Sequence, residues 1–178
     1  MGANIEIKAR IRNWARQRAE ARLIADGEGE LLEQVDTFFA VPAGRLKLRQ
    51  LGDQRGELIF YERPNVPGPK LCEYSITPTT APAQLCETLA RALGICAEVR
   101  KRRTLFLSTK WEGRTRIHLD EVKGLGQFIE LEVVLAPGQP PEAGEQVAEK
   151  FRTALDIRDA DLIDCAYVDL ITTRGCGP

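Results

Sequence analysis

Charged and aliphatic residues alternate one for one through several stretches of this chain, a period that fits an extended strand with two unlike faces and does not fit a helix. In Arg45-Leu46-Lys47-Leu48-Arg49, three cations share one face and two leucines the other. Arg116, His118 and Asp120 stand opposite Ile117 and Leu119, while Glu130 and Glu132 stand opposite Ile129, Leu131, Val133 and Leu135. Lys101 aligns with Arg103, and a less polar face carries Ile59, Tyr61 and Arg63. Residues 4–12 begin the series, with Ile5, Ile7, Ala9 and Ile11 on one side and Asn4, Glu6, Lys8, Arg10 and Arg12 on the other.

Taken singly, each such strand fits an antiparallel sheet whose polar face meets water. The recurrence over at least five strands, with helical segments available to cover the aliphatic faces, points instead to a sheet closed on itself with its charges inside. The expected fold class is α+β: a closed eight-stranded antiparallel β-barrel with helices packed outside, in one domain over residues 1–178. Strands are expected at 4–12, 32–40, 45–51, 56–63, 71–77, 99–108, 114–121 and 126–136, with a further strand at 165–171. Asn13 is a candidate N-cap for a helix reaching Gly27 and carrying Trp14, Ala21 and Leu23. Other helices are expected at 82–93, between Pro82 and Gly94, at 142–155, and, in a short piece, at 159–164.

A barrel of eight strands has room inside for side chains or one small ligand, and unpaired buried charge costs several kcal/mol per ion. The interior must therefore be wet, internally paired or built for a highly charged ligand. Lys8, Arg10, Lys47, Arg49, Arg63, Lys101 and Arg103 suit phosphate oxygens, which Glu6, Asp120, Glu130 and Glu132 would repel. The carboxylates make sense with Mg²⁺ or Mn²⁺ between them and the phosphates. Glu130 and Glu132, two residues apart, lie on one strand face about 7 Å from each other.

These residues also resemble a known family. Asn4-Ile5-Glu6-Ile7-Lys8 is similar to the N-terminal ExExK signature of CYTH proteins, the triphosphate tunnel metalloenzymes, with Asn4 where the first Glu of the signature stands. The segment from His118 to Glu132, His-Leu-Asp-Glu-Val-Lys-Gly-Leu-Gly-Gln-Phe-Ile-Glu-Leu-Glu, resembles the HLDxVxGLGxFxEIE pattern of the class IV adenylyl cyclase-like branch. Asp36-Thr37-Phe38-Phe39, Leu46 to Arg49, Tyr61 to Pro64 and Val99 to Arg103 follow in the family's order. The resemblance implies a triphosphate tunnel with Glu6, Asp120, Glu130 and Glu132 on metal and Lys8, Lys47, Arg49, Arg63, Lys101 and Arg103 on phosphates. Arg10 is placed there by alternation. It implies cyclisation of ATP to cyclic AMP and pyrophosphate, with hydrolysis of inorganic tripolyphosphate, thiamine triphosphate or a nucleoside triphosphate as the alternative, and non-catalytic binding of a polyphosphate or nucleotide as a second. A homodimer is also implied by the resemblance alone.

Lys8 is the candidate for proton transfer, or else a phosphate clamp. His118, the single histidine, is expected to orient a carboxylate. Tyr61 either touches a substrate base or braces arginines, and Trp14 and Trp111 read as packing or turn residues. The 25 Lys and Arg nearly balance the 26 Asp and Glu, so no overall charge draws the chain to nucleic acid or an anionic membrane. Cys72, Cys86, Cys96, Cys165 and Cys176 show no zinc spacing and read as reduced thiols. With no spanning apolar run and no signal-peptide pattern, the expected location is cytoplasmic.

Overall fold

In the computed structural model, which describes residues 1–175, the alternating strands pair until each has two neighbours. The strands are β1 (Gly2–Arg10), β2 (Glu30–Phe39), β3 (Arg45–Gln50), β4 (Gly56–Glu62), β5 (Lys70–Thr79), β6 (Ile95–Ser108), β7 (Arg114–Val122) and β8 (Gly126–Val134). The helices are α1 (Trp14–Ile24), α2 (Pro82–Leu93), α3 (Pro141–Ala154) and α4 (Tyr167–Gly175). The strands form a closed barrel in the order β1-β5-β4-β3-β2-β6-β7-β8, with β8 returning to β1 and every pairing antiparallel. The expected α+β barrel is therefore the fold.

Register sets which charges meet. Glu6 lies opposite Glu132 and Lys8 opposite Glu130 between β1 and β8, while Arg116 faces Glu132 and His118 faces Glu130 between β7 and β8. A one-residue slip would exchange the inward charges for the aliphatic face. That face holds the register: Ile5, Ile7, Ile117, Leu119, Ile129, Leu131 and Val133 are buried against Ala21 of α1 and Val147, Ala148 and Phe151 of α3. Each such side chain contributes about 1.5–3 kcal/mol when fully buried. Helix α3 comes close at Gly144, where a Cβ would stand 2.7 Å from Ile5 Cγ1 and 2.6 Å from Leu135 Cδ2. Only glycine permits that approach without displacing the strand side chain.

Asn13 caps α1 as expected, its side chain accepting from the Arg16 amide at 3.0 Å. The helix ends at Ile24 rather than Gly27, and Leu23 is exposed instead of packed. The short helix expected at 159–164 is only a 3-10 turn over Asp159–Asp161. Arg12 and the Arg158 amide both bind Asp161 and fix that turn.

The strand expected at 165–171 is instead the start of α4. A closed barrel leaves no edge for a ninth strand. β5 covers β1 only from Gly2 to Glu6, and the uncovered remainder accepts a single bridge, Ala9 to Leu162, plus the Ile163 amide on the Lys8 carbonyl at 2.9 Å. The chain then turns into helix, with Asp169 accepting from the Ala166 amide at 2.9 Å as the reciprocal half of a capping box. Helix α4 packs on β6. Ile163, Ala166, Tyr167 and Val168 bury against Phe38, Ile59, Tyr61, Val99 and Phe128, an apolar cluster on the barrel's inner side.

Trp14 packs partly buried on the outer core. Trp111, in the β6–β7 turn with a left-handed φ of 57°, sets its ring edge-on to Phe151 at 4.6 Å. Both are packing residues as expected. Cys72, Cys86, Cys96 and Cys165 are free thiols, and Cys176 lies outside the described residues. No helix among the described residues is long and apolar enough to cross a membrane.

Candidate functional site

The inward faces enclose a cavity of about 110 Å³ lined by Glu6, Lys8, Lys47, Arg49, Arg63, Lys101, Glu130 and Glu132, together with Asn4, Asp36, Arg116 and Tyr167. Six strands, the residue just past β4 and α4 supply these side chains, so the site exists only when the barrel is closed. Arg103 and Asp120 are buried on the same inner face without lining the cavity. Arg10 is not there. It sits exposed at the end of β1, its guanidinium 5.2 Å from the Phe128 ring, because Phe128 and α4 fill the barrel at that level.

On the β2, β3 and β6 side the cations are held by carboxylates. Asp36 accepts from Lys47 at 3.0 Å and from Arg49 at 2.8 and 2.9 Å, and stands 4.0 Å from Lys101. Burial alone would raise the Asp36 carboxyl, yet Arg49, Lys47 and Lys101 together hold it well below the usual range. Asp120 receives Arg103 through two bonds of 2.7 and 2.6 Å, Lys101 at 3.4 Å and the Tyr167 hydroxyl at 3.0 Å. Both Asp120 oxygens are thereby engaged. Burial, followed by repulsion from Arg103, pushes the Lys101 ammonium down to about 7.

The β1, β7 and β8 side is arranged differently. Lys8 Nζ donates to Glu130 at 3.0 Å, lies 3.7 Å from Glu6 and rests 3.8 Å above the Tyr167 ring. Arg63 bonds Glu6 through one nitrogen, while its Nε and Nη2 are buried with no partner. Glu132 takes Arg116 at 3.0 Å, faces Glu6 across the strands, and has its carboxyl raised by burial and by Glu130. His118, kept neutral by burial and by Arg103, leaves Nδ1 unpartnered 3.8 Å from Glu132. The Asn4 carbonyl oxygen is likewise buried and unpartnered.

Like charges directly opposite in a ladder destabilise it, and buried acceptors without donors cost about 1–3 kcal/mol each. A divalent cation answers both, and His118, Glu130 and Glu132 each bring a ligand atom within 4.8 Å of the others. The residues present thus fit a divalent ion, with Glu6 and Asn4 on the adjoining face.

Asp36 and Tyr167 join the site without a signal of that role in the sequence. Asp36 belonged to a segment matched to the family, but its role shows only once β2 pairs with β3. Tyr167 falls where the sequence pattern predicts a strand. Lys70, also buried, donates to the Val66 and Ile163 carbonyls at 2.7 and 3.1 Å and ties the approach to α4 against the barrel. Tyr61 lines the cavity 5.5 Å from Lys47 and 5.9 Å from Arg45, a bracing position.

The CYTH domain model matches residues 2–167. Among curated proteins none matches. Solved structures share the barrel: the PH1012 protein of Pyrococcus horikoshii (20% identity, TM-score 0.80, covering 94% of this chain and 98% of that one); a candidate adenylate cyclase of Vibrio parahaemolyticus (17%, 0.71, 95% and 97%); and HpAC1 of Hippeastrum, a candidate adenylyl cyclase described with a dominant triphosphatase activity (14%, 0.62, 97% and 95%). At these identities the structures speak for the fold alone. The match over nearly the whole sequence, on a closed barrel of eight strands, assigns the family: the chain belongs to the CYTH domain proteins.

Proposed function

We propose that the protein binds a triphosphate-bearing small molecule in the barrel and acts on it with a divalent cation, Mg²⁺ or Mn²⁺, most favourably as an ATP cyclase releasing cyclic AMP and pyrophosphate. The observation that carries this reading is one cavity with two opposed walls, cations on β3 and β6 and carboxylates on β1 and β8. Lys47, Arg49 and Lys101 bind and orient phosphate oxygens, and Arg103 supports them through Asp120. Arg63, with two nitrogens unpartnered, adds a further phosphate contact from just past β4. Glu6, Glu130 and Glu132 hold the metal, which when bound lowers the charge on the phosphates and activates the attacking oxygen. Asp120 keeps Lys101 and Arg103 in place, since both its oxygens are taken. Lys8, between Glu130 and the Tyr167 ring, is placed to hold or move a proton at Nζ.

Hydrolysis of the triphosphate is the second reading. It is favoured by the smallness of the cavity, about 110 Å³, which suits the phosphates better than a whole nucleotide. The cyclase reading is supported by the segment from His118 to Glu132 and by Phe38, Tyr61 and Tyr74, aromatic faces on the same cavity that suit a base. The purified protein, given ATP, thiamine triphosphate and inorganic tripolyphosphate with Mg²⁺ and with Mn²⁺, separates these. Cyclic AMP with pyrophosphate identifies the cyclase, orthophosphate the triphosphatase. Binding without any product leaves a non-catalytic binder and refutes both catalytic readings.

A further inference from the structure

The metal half of the proposed site contains a nitrogen donor. His118 is 3% exposed, its Nδ1 has no hydrogen-bond partner, and that atom lies 3.8 Å from Glu132 Oε1. Metal–nitrogen and metal–oxygen bonds of about 2.0–2.2 Å span such a gap. Asn4, 4% exposed, adds a second unpartnered acceptor, a neutral carbonyl oxygen on the β1 face that also carries Glu6; Asn4 lines the cavity, whereas His118 is buried off its lining, within reach of Glu130 and Glu132. Two independent buried acceptors are therefore left open beside Glu130 and Glu132, and one of them is an imidazole. Mg²⁺ is a hard ion that prefers oxygen and sheds water reluctantly. Imidazole instead favours first-row transition ions.

Resting on the metal-dependent reading above, we infer that His118 is a direct ligand through Nδ1 to the ion held by Glu132 and Glu130, and that this mixed nitrogen and oxygen set selects a first-row transition ion over Mg²⁺. In this role His118 does more than orient a carboxylate. Its ring is delivered by β7 opposite Glu130 on β8, so two adjacent strands fix the donor set before any ion arrives. The selection acts on the ion and is separate from the choice of cyclisation or hydrolysis.

The chain has one histidine, which allows a direct test on the unaltered full-length protein. Labelling histidine with ¹⁵N and loading Mn²⁺ should give a pulsed electron paramagnetic resonance spectrum with nitrogen hyperfine coupling that changes from the ¹⁴N to the ¹⁵N pattern. Calorimetry should show Mn²⁺ and Co²⁺ binding at least tenfold tighter than Mg²⁺. His118→Asn and His118→Gln, checked for folding by melting temperature, should weaken Mn²⁺ and Co²⁺ at least tenfold and Mg²⁺ less than threefold. Bound Mn²⁺ with no histidine nitrogen coupling overturns the inference, as does equal preference for Mg²⁺. If Glu132→Gln still abolishes ion binding in that case, the carboxylate metal site stands without His118. If no ion binds at all and triphosphate affinity ignores metals, both this inference and the metal-dependent function fail.

Discussion

The two walls of the cavity differ in how far they complete themselves. On the β2, β3 and β6 side four cations, the buried Lys101 and Arg103 and the partly buried Lys47 and Arg49, share two carboxylates, Asp36 and Asp120, and both carboxylates are engaged at hydrogen-bond distance. On the β1, β7 and β8 side Glu6 confronts Glu132, and Asn4, His118 and, just past β4, Arg63 keep buried polar atoms with no partner. The first wall is shaped in advance by its own ion pairs and carries excess positive charge. The second is left with opposed carboxylates and buried polar atoms without partners.

Breaking the finished wall should have the largest effect. Asp36→Asn leaves Lys47 and Arg49 without their carboxylate and Lys101 with Asp120 alone, and removing one partner of a buried ion pair costs about 3–5 kcal/mol, or a melting point lowered by roughly 10 °C in a chain of this size. Tripolyphosphate should return much of that loss, because its oxygens replace the missing carboxylate. A variant as stable as the parent without ligand would show that the wall is not held by Asp36.

Glu132→Gln should sharpen the contrast. It removes a like charge opposite Glu6, so the melting temperature should hold or rise, while turnover of the triphosphate substrate falls by roughly 10²-fold as metal binding is lost. Stability and activity thus move apart on this wall. A variant that unfolds would place Glu132 with the structural carboxylates instead.

Tyr167→Phe probes the helix that joins the walls. Losing the hydroxyl on Asp120 should cost about 1 kcal/mol, seen as a melting shift of a few degrees. Turnover should change less than tenfold, because the ring beneath Lys8 remains. A loss as large as that of Glu132→Gln would give the hydroxyl a part in the chemistry.

The last expected effect is on pH. Lys101, depressed to about 7, is below the ordinary lysine value of about 10.4. The unfolded chain therefore binds more protons here between these values, and this lysine's contribution to stability rises with pH. Triphosphate favours the ammonium, so its affinity should be full below pH 7 and weaken above it, by at most about tenfold per unit, with proton uptake. Lys101→Met should abolish that dependence in calorimetry. A wild-type affinity flat from pH 6 to 9 would contradict it.

Much of this was legible in the sequence because a strand's period is two and its faces are unlike. The alternation at Arg45 to Arg49 and at Ile129 to Leu135 gave strand, inward face and charge together, and closure followed from having nothing else to cover so many charged faces. Partnership was not legible. Asp36 sits in a strand whose other inward neighbour is Phe38, and only the β2–β3 register brings it to Lys47 and Arg49. Arg10 obeyed the alternation yet fell beyond the cavity, since period fixes the face and not the depth. Asp120 had the right face and chemistry for metal but is saturated by Arg103, Lys101 and Tyr167. The β-branched and aromatic residues at 165–171 looked like a strand, but barrel closure had already used the available edges.

The central claim is that the unfinished wall is completed by a cation and the finished one by phosphate, so each ligand should strengthen the other. Calorimetric titration of tripolyphosphate into the protein in Mg²⁺, in Mn²⁺ and in chelator tests this most directly. The account predicts affinity at least tenfold higher with a divalent ion, and loss of that gain in Glu132→Gln. Equal affinity with ion and with chelator would contradict a shared site.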